Sequence, residues 1–221
     1  MKHKKTFCVL GLGIFGSTLA KKIHSHNFEV IAIDRDMACV DRLKEDVNVC
    51  IKADFTDIEQ LRSIGVQDCD VAIVATGSLL EESVLGVMNL KELGVPYVLA
   101  KAKNKTFMHI LYKVGADKVV RPEKEMGEKL ANTLISENII DLIEIDKEYS
   151  IIEIKAYKDW INKSLLELDL RNNHGINVLG IRKKPNEHLS ISPSANYIIE
   201  DSDILLIIAE NSMFTKLSEL F

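Results

Sequence analysis

The sequence predicts an α/β fold: a doubly wound parallel sheet followed by a second, smaller α+β domain. Three observations predict it. Compact apolar runs alternate with helix-length amphipathic segments through the first two thirds of the chain. Those runs are apolar on successive residues, which marks strands buried on both faces, so helices must cover both faces of one sheet. After Pro122 the alternation stops, and strand-like runs follow one another without regular helices between them.

The elements follow in order. Thr6 to Leu10 reads as a strand and Phe15 to Ser25 as a helix. Glu29 to Asp34 is the second strand, Asp36 to Asp46 a helix, and Val47 to Ala53 the third strand. A short helix over Asp57 to Ile64 is ended by Gly65. Asp70 to Ala75 is the fourth strand, followed by a helix from Leu80 to Leu93. Gly94 and Pro96 punctuate before a fifth strand, Val98 to Lys101, a helix, Lys105 to Val114, and a sixth strand, Asp117 to Val120. Pro122 opens a long helix to about Asn138; proline suits a first turn, where its missing N–H has no helical partner to lose. Strands are then expected at Ser150 to Ile154, Asn177 to Ile181 and Ile204 to Ala209, with helical pieces at Lys163 to Leu168 and Ser212 to Leu220. The expected domains are residues 1–138 and 139–221.

A formal net charge of −5 excludes a whole-chain attraction to nucleic acid or anionic lipid. The basic opening Met1 to Lys5 and the apolar run behind it imitate a leader, but Gly11, Gly13 and Gly16 break the run, and no small-residue cleavage site closes it. With no spanning apolar segment, the expectation is a cytoplasmic protein without direct membrane insertion. Cys8, Cys39, Cys50 and Cys69 show no Cys-x-x-Cys spacing, so plain buried thiols are expected rather than a metal or redox site.

The chemistry concentrates at Gly11-Leu12-Gly13-Ile14-Phe15-Gly16. This G-x-G-x-x-G follows a strand, opens a helix and leads to a second strand ending in Asp34, the context of a Rossmann-like dinucleotide site. Gly11 permits the tight turn, Gly13 lets the backbone approach phosphate, and Gly16 lets helix and sheet pack closely. The helix N-terminus presents free N–H groups to an anion. Asp34 would accept hydrogen bonds from ribose hydroxyls and repel a 2′-phosphate, which disfavours NADP. Ala53-Asp54 and Ala75-Thr76-Gly77 close the third and fourth strands and belong to the same crevice, although Asp54 is also placed to cap the helix near Asp57.

Enzyme signals fail. Tyr97-x-x-x-Lys101 lies in a strand, where the two side chains are roughly 13 Å apart. The histidines at 3, 24, 26, 109, 174 and 188 are scattered, and no acid, base or metal set stands beside the turn.

The motifs FCVLGLGIFG, VIAID, KADFTD, DVAIVATG, AKAKN and GADKVVRPEKEMG run in the order of the RCK (regulator of potassium conductance) family. SIIEI, LDLRNNHGINVLGIRK and the apolar strand after Asp203 resemble that family's C-terminal domain. The resemblance covers nearly the whole chain and is closest to the Ktr/Trk-type regulatory subunits of bacterial potassium uptake systems, including relatives that bind cyclic di-AMP.

That resemblance implies a cytoplasmic ring of subunits, dimers assembled into an octamer, held beneath a separate membrane channel or transporter subunit. It implies an adenine nucleotide on Gly11, Gly13, Ile14, Phe15, Gly16, Asp34, Asp54, Ala75, Thr76, Gly77 and Lys101, with Lys101 facing phosphate. It implies a divalent cation at Glu123, and cyclic di-AMP on Leu170, Arg171, Asn177 and Val178. Many relatives carry arginine inside the glycine turn; Ile14 stands there here, so ATP/ADP remain the first candidates while AMP, NAD and NADH gain ground. A surface ion pair of Arg171 with Asp169 or Glu167 is the alternative for that residue. An NAD-linked oxidoreductase is the alternative function, and a Rossmann-type transcriptional regulator would need the DNA-binding helices that the sequence lacks.

Overall fold

The computed structural model describes residues 4–77, 79–135, 138–185 and 187–212. The expected closing helix, Ser212 to Leu220, lies outside the described residues except for Ser212. The chain divides into two compact units, Met1–Glu123 and Lys124–Phe221.

The first unit is a six-stranded parallel sheet. In chain order its strands are β1 (Thr6–Leu10), β2 (Glu29–Asp34), β3 (Val49–Lys52), β4 (Val71–Val74), β5 (Tyr97–Lys101) and β6 (Lys118–Val120). Their spatial order is β3-β2-β1-β4-β5-β6. The helices between them are α1 (Ile14–Ser25), α2 (Met37–Leu43), α3 (Ile58–Ile64), α4 (Leu80–Glu92) and α5 (Lys105–Lys113). Side-chain alternation along each strand feeds two cores. Val9, Val30 and Ala32 pack with Ala20 of α1 and with Val40 and Leu43 of α2. Cys8, Leu10, Ala72 and Val74 pack on the other face with Leu61, Val87, Leu90 and Leu111 of α3, α4 and α5. This is the doubly wound sheet expected from the apolar runs. The chain moves outward from β1 to β3, then returns to place β4 on the other side of β1. That reversal opens a crevice at the carboxyl ends of β1 and β4.

Local chemistry sets the ends. Asp36 and Asp57 cap α2 and α3, the Asp57 carboxylate accepting from the Glu59 N–H at 2.9 Å. Gly65 stops α3 in the left-handed region at φ +89°. Cys8 and Cys69 are buried, whereas Cys39 and Cys50 are only half-buried.

The long helix α6 runs Pro122–Ile135 and has no buried residue. Beyond it an antiparallel sheet has the order β10-β9-β11-β8-β7, formed by β7 (Ile139–Glu144), β8 (Tyr149–Lys155), β9 (Asn177–Arg182), β10 (Ser190–Ile191) and β11 (Ile204–Glu210). Two short helices, α7 (Leu165–Leu168) and α8 (Leu170–His174), help cover a core of Ile152, Ile154, Trp160, Leu170, Ile176, Ile199 and Leu205. Inside the sheet's margin, Asp203 is only 1% exposed. Its carboxylate accepts from Tyr197 Oη at 3.0 Å and the Glu200 N–H at 2.8 Å, and meets Lys183 Nζ at 2.9 Å. A buried carboxylate needs such partners. In return, Glu200 and Asp203 hold the Lys183 ammonium well above the usual lysine range.

Three features depart from the sequence expectation. β7 and β10 were not anticipated, nor was α8, which covers Leu170–His174 with Gly175 as its left-handed stop. Burial of Leu170 and Ile176 on either side of this asparagine-rich stretch wins over its weak helix propensity.

Candidate functional site

The glycine turn stands at the switch in strand order. Gly11 is in the left-handed region at φ +92°, and a Cβ on it would come within 3.0 Å of the Thr76 backbone nitrogen. A Cβ on Gly16 would collide with the Gly11 carbonyl oxygen at 1.9 Å. Around Gly13, by contrast, a Cβ would meet nothing within 4 Å. Two of the glycines are thus demanded by the fold itself, whereas the third borders open space that a ligand can enter. Gly13 is also the N-cap of α1 and supplies no side-chain cap, so the first amides of α1 have no capping side chain. The end of a helix of this length carries a partial positive charge suited to phosphate.

Asp34 ends β2 beside this turn. Its carboxylate accepts from the Leu12 N–H at 2.6 Å and from the Asp36 N–H at 2.8 Å. The carboxylate is therefore fixed in orientation, with lone pairs left to accept from ribose hydroxyls. Ala75 continues the ladder, its N–H bonding the Leu10 carbonyl at 2.8 Å, which brings Thr76 and Gly77 beside Gly11. Asp54 turns on itself: its carboxylate accepts from the Thr56 N–H at 2.9 Å and from Thr56 Oγ1 at 2.6 Å, and these bonds hold it below the usual carboxylate range. The cap of α3 belongs to Asp57, not Asp54.

A second group gathers around Lys101. Its ammonium pairs with Glu123 at 2.5 Å and lies 5.7 Å from the centre of the Phe15 ring, and its stem would touch a Cβ on Gly77 at 3.4 Å. Phe15, Gly77, Lys101 and Glu123 are thus brought together. The Lys101 ammonium holds the Glu123 carboxyl below its usual range. Ile14 is 90% exposed at the start of α1, an unusual position for a large aliphatic side chain. Beside it, on the α1–α2 side of the turn, a cavity of about 260 Å³ is lined by Leu12, Gly13, Ser17, Cys39 and Arg42 among others.

As a metal donor Glu123 stands alone. No group of three or more His, Cys, Asp or Glu residues able to hold a metal occurs among the described residues.

In the second unit, Leu170 is buried in α8, Arg171 is exposed on the same helix, Asn177 is the exposed first residue of β9, and Val178 is half-buried. The alternative partners of Arg171 are engaged elsewhere. Asp169 accepts from Asn172 Nδ2 at 2.8 Å, and Glu167 closes a capping box with Ser164. Among the described residues Arg171 forms no ion pair. Arg171 and Asn177, the polar pair of the expected cyclic di-AMP site, lie on successive elements, α8 and β9, joined through Gly175 and Ile176. A separate cavity of about 530 Å³, lined by Lys183, His188, Ser194 and Tyr197 among others, was not anticipated from sequence, although all its walls come from the stretch Ile181 to Asp203.

The fold and the turn define a class: a two-unit protein whose first unit sets a glycine turn and an oriented carboxylate at a sheet switch point. The TrkA-N domain family matches residues 7–122 and the TrkA-C domain family residues 149–221. The chain belongs to this TrkA-N/TrkA-C family, the RCK-type regulators of potassium transport; it is not an enzyme. It is 36% identical over 205 residues to the Ktr system potassium uptake protein C of Bacillus subtilis, covering 93% of this chain and 92% of that one. It is 35% identical over 203 residues to the Ktr system potassium uptake protein A of the same organism, covering 92% and 90%. The GsuK channel solved bound to NAD shares the fold with a TM-score of 0.68 at 17% identity, covering 99% of this chain and 40% of that one. No helix among the described residues is long and apolar enough to cross a membrane.

Proposed function

We propose that this chain is the regulatory subunit of a Ktr/Trk-type potassium uptake system, peripheral to the cytoplasmic face of the membrane through a separate conducting subunit. It senses an adenine nucleotide in its first unit. The observation that supports this reading is the open space at Gly13 between two glycines required by the fold, with Asp34 oriented beside it. Phosphates would lie on the α1 N-terminus and face Lys101; ribose would lie on Asp34. Glu123 would hold a divalent cation only together with phosphate oxygens, and its carboxylate would then leave Lys101 available to phosphate. ATP and ADP are the first candidates, and the exposed aliphatic Ile14 leaves the terminal phosphate without a cation in the turn, so AMP, NAD and NADH belong in the same comparison.

In the second unit we propose a cyclic di-AMP site on Leu170, Arg171, Asn177 and Val178. The free guanidinium of Arg171 would take phosphate, and a two-fold pair of subunits would match the ligand's own symmetry. The full chain is titrated calorimetrically with ATP, ADP, AMP, NADH, cyclic di-AMP and cyclic di-GMP. Binding of one or more adenine mononucleotides or NADH, weakened in Asp34→Ala, supports the first site. Cyclic di-AMP binding that exceeds cyclic di-GMP binding and falls more than tenfold in Arg171→Ala supports the second. Absence of binding would refute the corresponding site.

A further inference from the structure

One ion pair beside the turn was not visible in sequence. Arg35 Nη1 donates to Glu82 Oε1 at 2.5 Å. Arg35 directly follows the last residue of β2, and Glu82 lies in the first turn of α4, which follows β4. β2 and β4 are the two neighbours of β1 in the sheet. The bond therefore passes across the carboxyl end of β1, where the glycine turn begins. Glu82 is the sheltered partner, with its side chain 15% exposed, while the Arg35 side chain is 64% exposed. The bond uses one donor of the guanidinium and leaves its planar faces free. The positive charge of Arg35 is also felt at Asp54, after the Thr56 hydrogen bonds.

We propose that Arg35, held in place by Glu82, is the platform on which the base of the bound nucleotide stacks. This rests on the nucleotide reading given above. If the glycine turn takes the phosphates and Asp34 the ribose, two of the three parts of a nucleotide are placed. The base must lie beyond the ribose, on the side of Asp34 away from the turn, and the next residue along the chain is Arg35. A guanidinium plane is a good stacking surface for a purine. An untethered arginine at this exposure would spend its time in solvent; the Glu82 carboxylate draws it inward over the crevice and is a positioning residue. The charge matters as well, since Asp34, Asp54 and Glu82 would otherwise present three carboxylates to an anionic ligand.

The test compares ADP with UDP, which share ribose and phosphates and differ in the base, on the full-length protein. The wild type is expected to prefer ADP. Arg35→Ala should weaken ADP about tenfold and UDP far less, the size expected when a base loses its stacking partner. Arg35→Lys keeps the charge but not the plane, so most of the loss should remain. Glu82→Gln keeps an acceptor for the guanidinium and should stay near wild type, Glu82→Ala should fall between, and the double variant Arg35→Ala/Glu82→Ala should bind no more weakly than Arg35→Ala alone. A merely structural pair would lower ADP and UDP together, and that result overturns the proposal. So does unchanged or tighter ADP binding in Arg35→Ala, which would make the pair inert or an obstruction, or equal binding of ADP and UDP by the wild type. If the wild type binds no adenine nucleotide at all, the nucleotide reading fails and this proposal fails with it; if Asp34→Ala weakens binding while Arg35→Ala does not, the platform alone is refuted.

Discussion

At the scale of single residues, the three glycines of one motif answer to different forces. Gly16 leaves no room for a Cβ against the Gly11 carbonyl, so Gly16→Ala should destabilise the fold by about 1–3 kcal/mol or more. Gly13 faces open space in an extended conformation that alanine adopts freely, φ −63° and ψ −173°. Gly13→Ala should therefore fold with a stability change under about 1 kcal/mol yet bind nucleotide much more weakly, because the new methyl group occupies the phosphate's approach. Thermal unfolding and nucleotide titration of both variants separate the two roles; weakened folding with intact binding in Gly13→Ala would contradict this assignment. Asp34→Ala should cost about 1–3 kcal/mol of nucleotide binding, because ribose hydroxyls then go unpaired. It also strips a partner from the Leu12 and Asp36 N–H groups, so a matched thermal unfolding measurement is needed to show that the loss is one of affinity. The motif and Asp34 were legible in the sequence because they lie in one short stretch and one strand end. The Arg35–Glu82 bond was not, because its partners are 47 positions apart and only strand order brings them together.

At the scale of elements, the parallel sheet was readable because its strands are buried on both faces and leave continuous apolar runs. The second unit was readable in its central strands and in α6 and α7, but not at the margins of its sheet. β7 lies on the sheet's edge, and its residues Asp141 and Glu144 interrupt the apolar signal that marked β8 and β11. β10 has two residues, too few to carry any periodicity. α8 is held by the burial of Leu170, a tertiary contact that the asparagines of its own sequence argue against. At this scale Asp203 also ties Lys183 and Tyr197 to the start of β11. Lys183 has a folded pKa raised above its ordinary value by Glu200 and Asp203. A cation of that kind contributes stability that is fully present below its unfolded pKa and lost as pH rises through the folded one. Lys183→Met should therefore destabilise the second unit by about 1–2 kcal/mol near neutral pH, allowing for the partial exposure of the lysine. The gap to wild type should narrow at strongly alkaline pH. Trp160, the only tryptophan in the chain and buried in the second unit's core, reports the transition by fluorescence. A gap that is constant across that pH range would show that Lys183 acts by packing, not charge.

At the scale of the whole molecule, the unresolved demand is the apolar stripe of α6. Met126, Leu130 and Leu134 are spaced four residues apart, so they share one helical face, and they are 55%, 53% and 84% exposed. A core helix would bury such a stripe, but α6 has no buried residue. Each of these side chains offers about 1.5–3 kcal/mol on full burial, and an exposed contiguous apolar face of this kind marks an association surface. A second copy of the chain is the occupant consistent with the dimers that the family resemblance implies, since a two-fold dimer uses the same patch on both partners. Leu130→Asp should weaken that association by about 3 kcal/mol, or roughly a hundredfold, because it removes apolar contact and places an unpaired charge at the centre of the stripe. It should leave the unfolding of the isolated subunit nearly unchanged, because Leu130 is 53% exposed on a helix with no buried residue. If the stripe instead belonged to the core of one subunit, the same substitution would lower the unfolding temperature and leave the mass alone. Light scattering at micromolar concentration, read beside thermal unfolding at a concentration low enough to dissociate the oligomer, distinguishes these outcomes; a wild-type monomer in the first measurement would rule the ring out.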